Sequence, residues 1–94
     1  MNYEDFLELA KEKVYEYERN NGNTIRRRDV YIVWSCKTLQ NGKALLSANN
    51  NEKRAFYYEF TLNGDRGEFY MDVYDKKENI CLDSYGCAKE ERIK

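Results

Sequence analysis

The side chains able to carry a reaction are few, and their spacing suits none of the common reaction centres. The 94-residue sequence has no histidine, which removes the usual general base near neutral pH, the Ser-His-Asp and Cys-His pairs and the HExxH zinc helix together. Three cysteines remain, Cys36, Cys81 and Cys87. They form no CxxC pair, an odd number cannot all pair within one chain, and a metal site built on them needs a ligand of another kind. Buried or idle thiols in a reducing compartment are expected. Ser35, Cys36 and Lys37 lack a partner base. Asp75-Lys76-Lys77, with Glu59 and Asp65 before it, has the residue types of a metal-dependent nuclease, in which carboxylates hold magnesium and a lysine offsets developing charge. Turn and strand-end chemistry accounts for those positions better. No catalytic residue, metal ligand or cofactor is assigned, and the chain is expected not to be an enzyme.

Binding chemistry has more to work with. The net charge is -1, but residues 1–23 carry -3, residues 24–54 carry +5 and residues 55–94 carry -3. The basic middle holds Arg26, Arg27 and Arg28, with Lys37, Lys43, Lys53 and Arg54 further on. Arginine forks suit phosphates. Three adjacent arginines cannot all point one way in an extended segment, however, so a solvated basic loop paired with helix carboxylates is favoured over nucleic-acid readout. Composition, 41% hydrophobic with 15% aromatic, is that of a folded domain. No leader-like segment opens the sequence and no apolar run is long enough to span a membrane, so a cytosolic protein is expected.

The elements that must position these groups follow from periodicity. Tyr3, Phe6, Leu7, Ala10, Val14 and Tyr17 recur at helical spacing and predict an amphipathic helix over 3–19, with Asn2 as its N-cap. Val30 to Leu39 is rich in β-branched and aromatic residues on both faces and reads as a central strand, with Trp34 in the core. Asn41-Gly42 predicts a two-residue turn that sets Thr38 against Leu45 and Cys36 against Ser47. After the polar stretch Asn49 to Lys53, a strand from Ala55 to Leu62 and a Gly64-Asp65 turn set Phe60 against Phe69, Tyr58 against Met71 and Phe56 against Val73. Ile80 to Tyr85 offers a short fifth strand, and the charged tail 88–94 is expected to fray. The sum is one α+β domain over 1–94: an N-terminal helix on one face of a four- or five-stranded antiparallel meander spanning about residues 30–85.

A single helix covers one side of such a sheet. The other side then carries Tyr57, Glu59, Thr61, Tyr70, Asp72 and Tyr74. Tyrosine brings a rigid contact area with a polar tip, so Tyr57, Glu59, Tyr70, Asp72 and Tyr74 are the expected partner-binding residues. A solvated sheet stabilised by cross-strand tyrosines, or the same face closed by a second copy of the chain, explains the pattern as well.

Trp34-Ser35-Cys36-Lys37-Thr38-Leu39-Gln40-Asn41, Lys43-Ala44-Leu45, and the Tyr57-Tyr58-Glu59 and Asn63-Gly64-Asp65 pieces resemble a family of short phage and prophage proteins of uncharacterised function. The resemblance implies a phage setting and carries over no active residue. In that setting the expected role is a small accessory protein of the host cytosol that binds a host protein, such as a component of an anti-phage CRISPR system. A nucleic-acid module using Arg26, Arg27, Arg28, Lys37 and Lys43 is the alternative, and a nuclease the third.

Overall fold

The structure, a computed structural model, describes residues 1–50, 56–78 and 80–88. Helix α1 spans Tyr3–Asn20. The Asn2 side chain accepts from the Asp5 amide at 2.7 Å, satisfying one of the free donors of the first turn, where Glu4 and Asp5 also complement the dipole. A single turn of 3-10 helix, Arg27–Asp29, leads into β1 (Val30–Thr38), followed by β2 (Asn41–Ala48), β3 (Phe56–Asn63) and β4 (Glu68–Asp75). The strands pair antiparallel in the order β1-β2-β3-β4. The architecture is the expected α+β meander under one helix. The tail expected to fray, from residue 89 on, and the greater part of the polar stretch 49–53 lie outside the described residues.

The core forms where the buried stripe of α1, Phe6, Ala10 and Val14, meets Ala44 and Leu46 of β2 and Tyr58, Phe60 and Leu62 of β3. Each large apolar side chain buried there contributes roughly 1.5–3 kcal/mol. Aromatic edges tie the layers together: Phe6 meets Phe69 with centroids 5.7 Å apart, and Tyr17 meets Tyr58 at 5.6 Å.

Four expectations about the sheet are corrected. First, β1 is an edge strand, because a meander leaves its first and last strands unpaired on one side. Second, the first hairpin turns at Leu39 and Gln40, with Thr38 opposite Asn41 and Cys36 opposite Lys43. Gly42 lies inside β2, where an added Cβ would stand 3.1 Å from Phe6 Cε2; the glycine makes room for the helix ring and makes no turn. Third, the register shifts between Ile32 and Trp34, so Val33 is an extra residue and Trp34 is turned to the face opposite Ile32, 45% exposed. Trp34 is not core. Fourth, the β3–β4 loop has four residues, 64–67, closed by an Asn63 side chain that accepts from the Arg66 amide and by Gly67 at φ 67°. That moves the register by two: Phe60 faces Met71, Tyr58 faces Val73 and Phe56 faces Asp75. An even shift keeps every side chain on its expected face.

Among the described residues Ile80 to Tyr85 form no fifth strand. The only pairing there is an isolated bridge between Leu82 and Ala88, around a turn in which the Asp83 carboxylate accepts from the Tyr85 and Cys87 amides. All three cysteines are free and exposed, so of the expected buried or idle thiols the buried alternative does not hold.

Candidate functional site

Direct cross-strand partners share a face, and the buried residues identify which face lies under α1. Tyr3 hydrogen-bonds Ser35 from the helix side, and Ser35 pairs with Ala44 and Ala44 with Phe60. The neighbouring rows therefore point away from the helix: Trp34, Leu45, Glu59 and Asp72 in one, Cys36, Lys43, Thr61 and Tyr70 in the next, with Tyr57 beside Tyr74. The sequence-predicted set Tyr57, Glu59, Tyr70, Asp72 and Tyr74 is brought together on this open face. Tyr31 and Trp34 join it from β1; Trp34 was missed because a single extra residue at Val33 decides where it points, and Tyr31 because β1 reads as a central strand apolar on both faces. Tyr31, Trp34, Tyr70 and Tyr74 are 43%, 45%, 50% and 50% exposed, unusually wet for such large rings.

The centre of the face is held by a polar network. Lys43 Nζ lies 3.1 Å from Glu59 Oε2, and the Tyr74 hydroxyl donates to Glu59 Oε1 at 3.1 Å. The bond from Lys43, followed by that from Tyr74, holds the Glu59 carboxyl below its usual range; the same carboxylate pushes the Tyr74 phenol up. Beside it the Tyr70 hydroxyl donates to Glu68 at 2.6 Å, which raises that phenol too. Both phenols stay protonated donors at neutral pH. Asp72 stands opposite Glu59, and Lys43, on the strand to the other side, pairs with Glu59.

Lys53 and Arg54 lie outside the described residues, and the described basic residues do not converge. Arg27 reaches back to α1, with Nη2 3.2 Å from Glu8 Oε1 and Nε 3.2 Å from Glu12 Oε1, the pairing with helix carboxylates that the sequence suggested. Arg26 and Arg28 flank it, exposed, at the start of β1, while Lys37 sits near the other end of that strand on the helix side and Lys43 on the open face. The nuclease set is equally scattered: Asp65 in the 64–67 loop, Asp75 at the far end of β4, and Glu59 on the opposite face from Asp75. Among the described residues no three His, Cys, Asp or Glu side chains cluster to hold a metal ion. Among them, also, no helix is long and apolar enough to cross a membrane.

A second polar group went unseen in the sequence. Glu18 is buried beneath the end of α1, where its carboxylate accepts from Tyr58, from Asn23 Nδ2 at 2.7 Å and from Asn50 Nδ2 at 2.9 Å. Its signal was there to find, since Phe6, Ala10, Val14 and Glu18 fall at steps of four on one stripe.

These features define a class: a two-layer α+β domain with a helix packed on one sheet face and the other face left open and aromatic. The chain belongs to DUF6275, a family of unknown function, whose model matches residues 7–84. No curated protein and no solved structure matches it significantly.

Proposed function

We propose that the chain is a non-enzymatic binding module that grips a partner protein with its open sheet face. The observation that carries this is the set of half-exposed rings, Tyr31, Trp34, Tyr70 and Tyr74, ranged around a Glu59 already fixed by Lys43 and Tyr74. Rigid aromatics lose little conformational entropy on contact, and a pre-bonded polar centre needs little reorganisation. Among the described residues Glu59, Glu68 and Asp72 outnumber their cations Lys43 and Arg66 around this surface, so its complement is a basic protein surface. The resemblance of residues 29–47 and 55–79 to short phage proteins is the ground for reading it as a phage accessory protein of the host cytosol. Its partner is then a host protein whose basic nucleic-acid channel accepts carboxylates in place of phosphates, as in a CRISPR effector. Capture from host lysate tests it. The wild type is expected to retain a partner that Tyr70→Ala with Tyr74→Ala loses, at unchanged circular dichroism; a double variant that keeps every partner overturns the assignment of this face.

The nucleic-acid alternative has weaker support, because Arg27 is committed to Glu8 and Glu12 and Lys37 and Lys43 lie on opposite faces. A mobility shift at low salt is expected to show no complex with duplex or single-stranded DNA.

A further inference from the structure

We infer that β4 is the edge through which the chain pairs with a second copy of itself, antiparallel, with Met71 on the two-fold axis. The inference does not rest on the open-face proposal. The two edges of the sheet differ. β1 carries an extra residue at Val33 and a lysine at Lys37, two devices that spoil an edge as a template. β4 runs eight residues, Glu68–Asp75, in unbroken register with β3, with no lysine, proline or bulge. An edge of that kind offers its outward amides and carbonyls to another strand.

The choice of a second copy comes from the charges. A two-fold axis normal to the sheet pairs residues on the same face, so only registers centred on a residue are allowed. Centring on Tyr70 sets Glu68 against Asp72, and centring on Asp72 sets that carboxylate against itself. Like charges directly opposite destabilise a pair. Centring on Met71 removes both conflicts: Asp72 faces Tyr70, Glu68 faces Tyr74, Phe69 faces Val73 and Met71 faces Met71. Acids meet phenols on the open side and apolar groups meet apolar groups on the helix side. Val73, 37% exposed, and the half-buried Phe69 and Met71 gain the cover that α1 does not give them. Of the two registers that pair seven residues of β4, those centred on Met71 and Asp72, only the first sets no carboxylate against another.

The experiment uses the full chain. Light scattering at high micromolar concentration is expected to give twice the monomer mass, and Val73→Lys, which enters the interface twice, to raise the dimer dissociation constant at least about tenfold with circular dichroism unchanged. With Cys36, Cys81 and Cys87 replaced by serine, Met71→Cys is expected to form a disulfide dimer on mild oxidation. Val73→Cys is not, since Val73 and its symmetry mate lie about 13 Å apart in this register, beyond disulfide reach. A monomeric wild type overturns the inference. So does a dimer that survives Val73→Lys, or one in which Val73→Cys cross-links as well as Met71→Cys.

Discussion

Glu18 and Tyr58 show how one buried polar contact constrains the fold. The carboxylate sits at the end of the apolar stripe of α1, 1% exposed, and is tolerable there because three donors from separate segments reach it. Glu18→Leu keeps the volume but strands the Tyr58 hydroxyl and removes the acceptor of the Asn23 amide, and is expected to cost about 2–4 kcal/mol by urea denaturation. Tyr58→Phe is milder at neutral pH, about 1–2 kcal/mol, because Glu18 keeps its two amide donors. The two variants separate further in alkali. Burial, reinforced by the bond to Glu18, pushes the Tyr58 phenol well above its ordinary value of 10.0. The unfolded phenol ionises near pH 10 while the folded one does not, so the unfolded chain binds fewer protons and stability falls as pH rises past that point. This one group contributes a slope of about 1.4 kcal/mol per pH unit. Stability measured between pH 9 and pH 11 is expected to fall less steeply in Tyr58→Phe than in the wild type.

At the scale of elements, the hairpin ends decided what the sequence could disclose. The helix, its Asn2 cap, the order of the first four strands and the faces assigned in β3 and β4 were legible, because periods of 3.6 and 2 survive any even slip in register. The turns were not. Asn41-Gly42 has the composition of a two-residue turn, but Gly42 is held in β2 by the Phe6 ring and the Asn41 side chain accepts from the Gly64 amide of the neighbouring loop. Tertiary contacts outweighed local preference. The turn moved to Leu39, which takes the left-handed conformation at φ 55° with its side chain 83% exposed. A branched-chain residue there is strained and packs against little. Leu39→Gly is therefore expected to stabilise the protein by about 0.5–1 kcal/mol, read as a raised urea midpoint. Gly42→Ala has the opposite sign, costing about 1–3 kcal/mol, since the new methyl is forced against Phe6. An odd insertion such as Val33 was beyond any pattern of period 2, and with it went the placement of Trp34.

The whole molecule is a thin slab, 50 × 34 × 18 Å, with a radius of gyration of 16.2 Å against about 12 Å for a compact chain of its length. Much of its apolar surface is left outside, on the open face and in the segment holding Ile80, Leu82 and Tyr85. Its two interaction surfaces share Tyr70, Asp72 and Tyr74 of β4 but part at β1: the open face reaches Trp34, three strand spacings or about 14 Å across the sheet from the self-pairing edge. Trp34 is the only tryptophan and stands half-exposed on the open face, so its fluorescence reports on one surface and is blind to the other. Raising the concentration through the dimer transition is expected to leave emission wavelength and acrylamide quenching unchanged, because β4 pairing covers nothing near β1. Seating a basic partner protein on the open face is expected to shift emission to the blue and lower the quenching constant severalfold, as water and quencher are driven off the ring. If self-association instead protects Trp34, the second copy lies on the open face, and the aromatic surface is a dimer interface closed to other proteins.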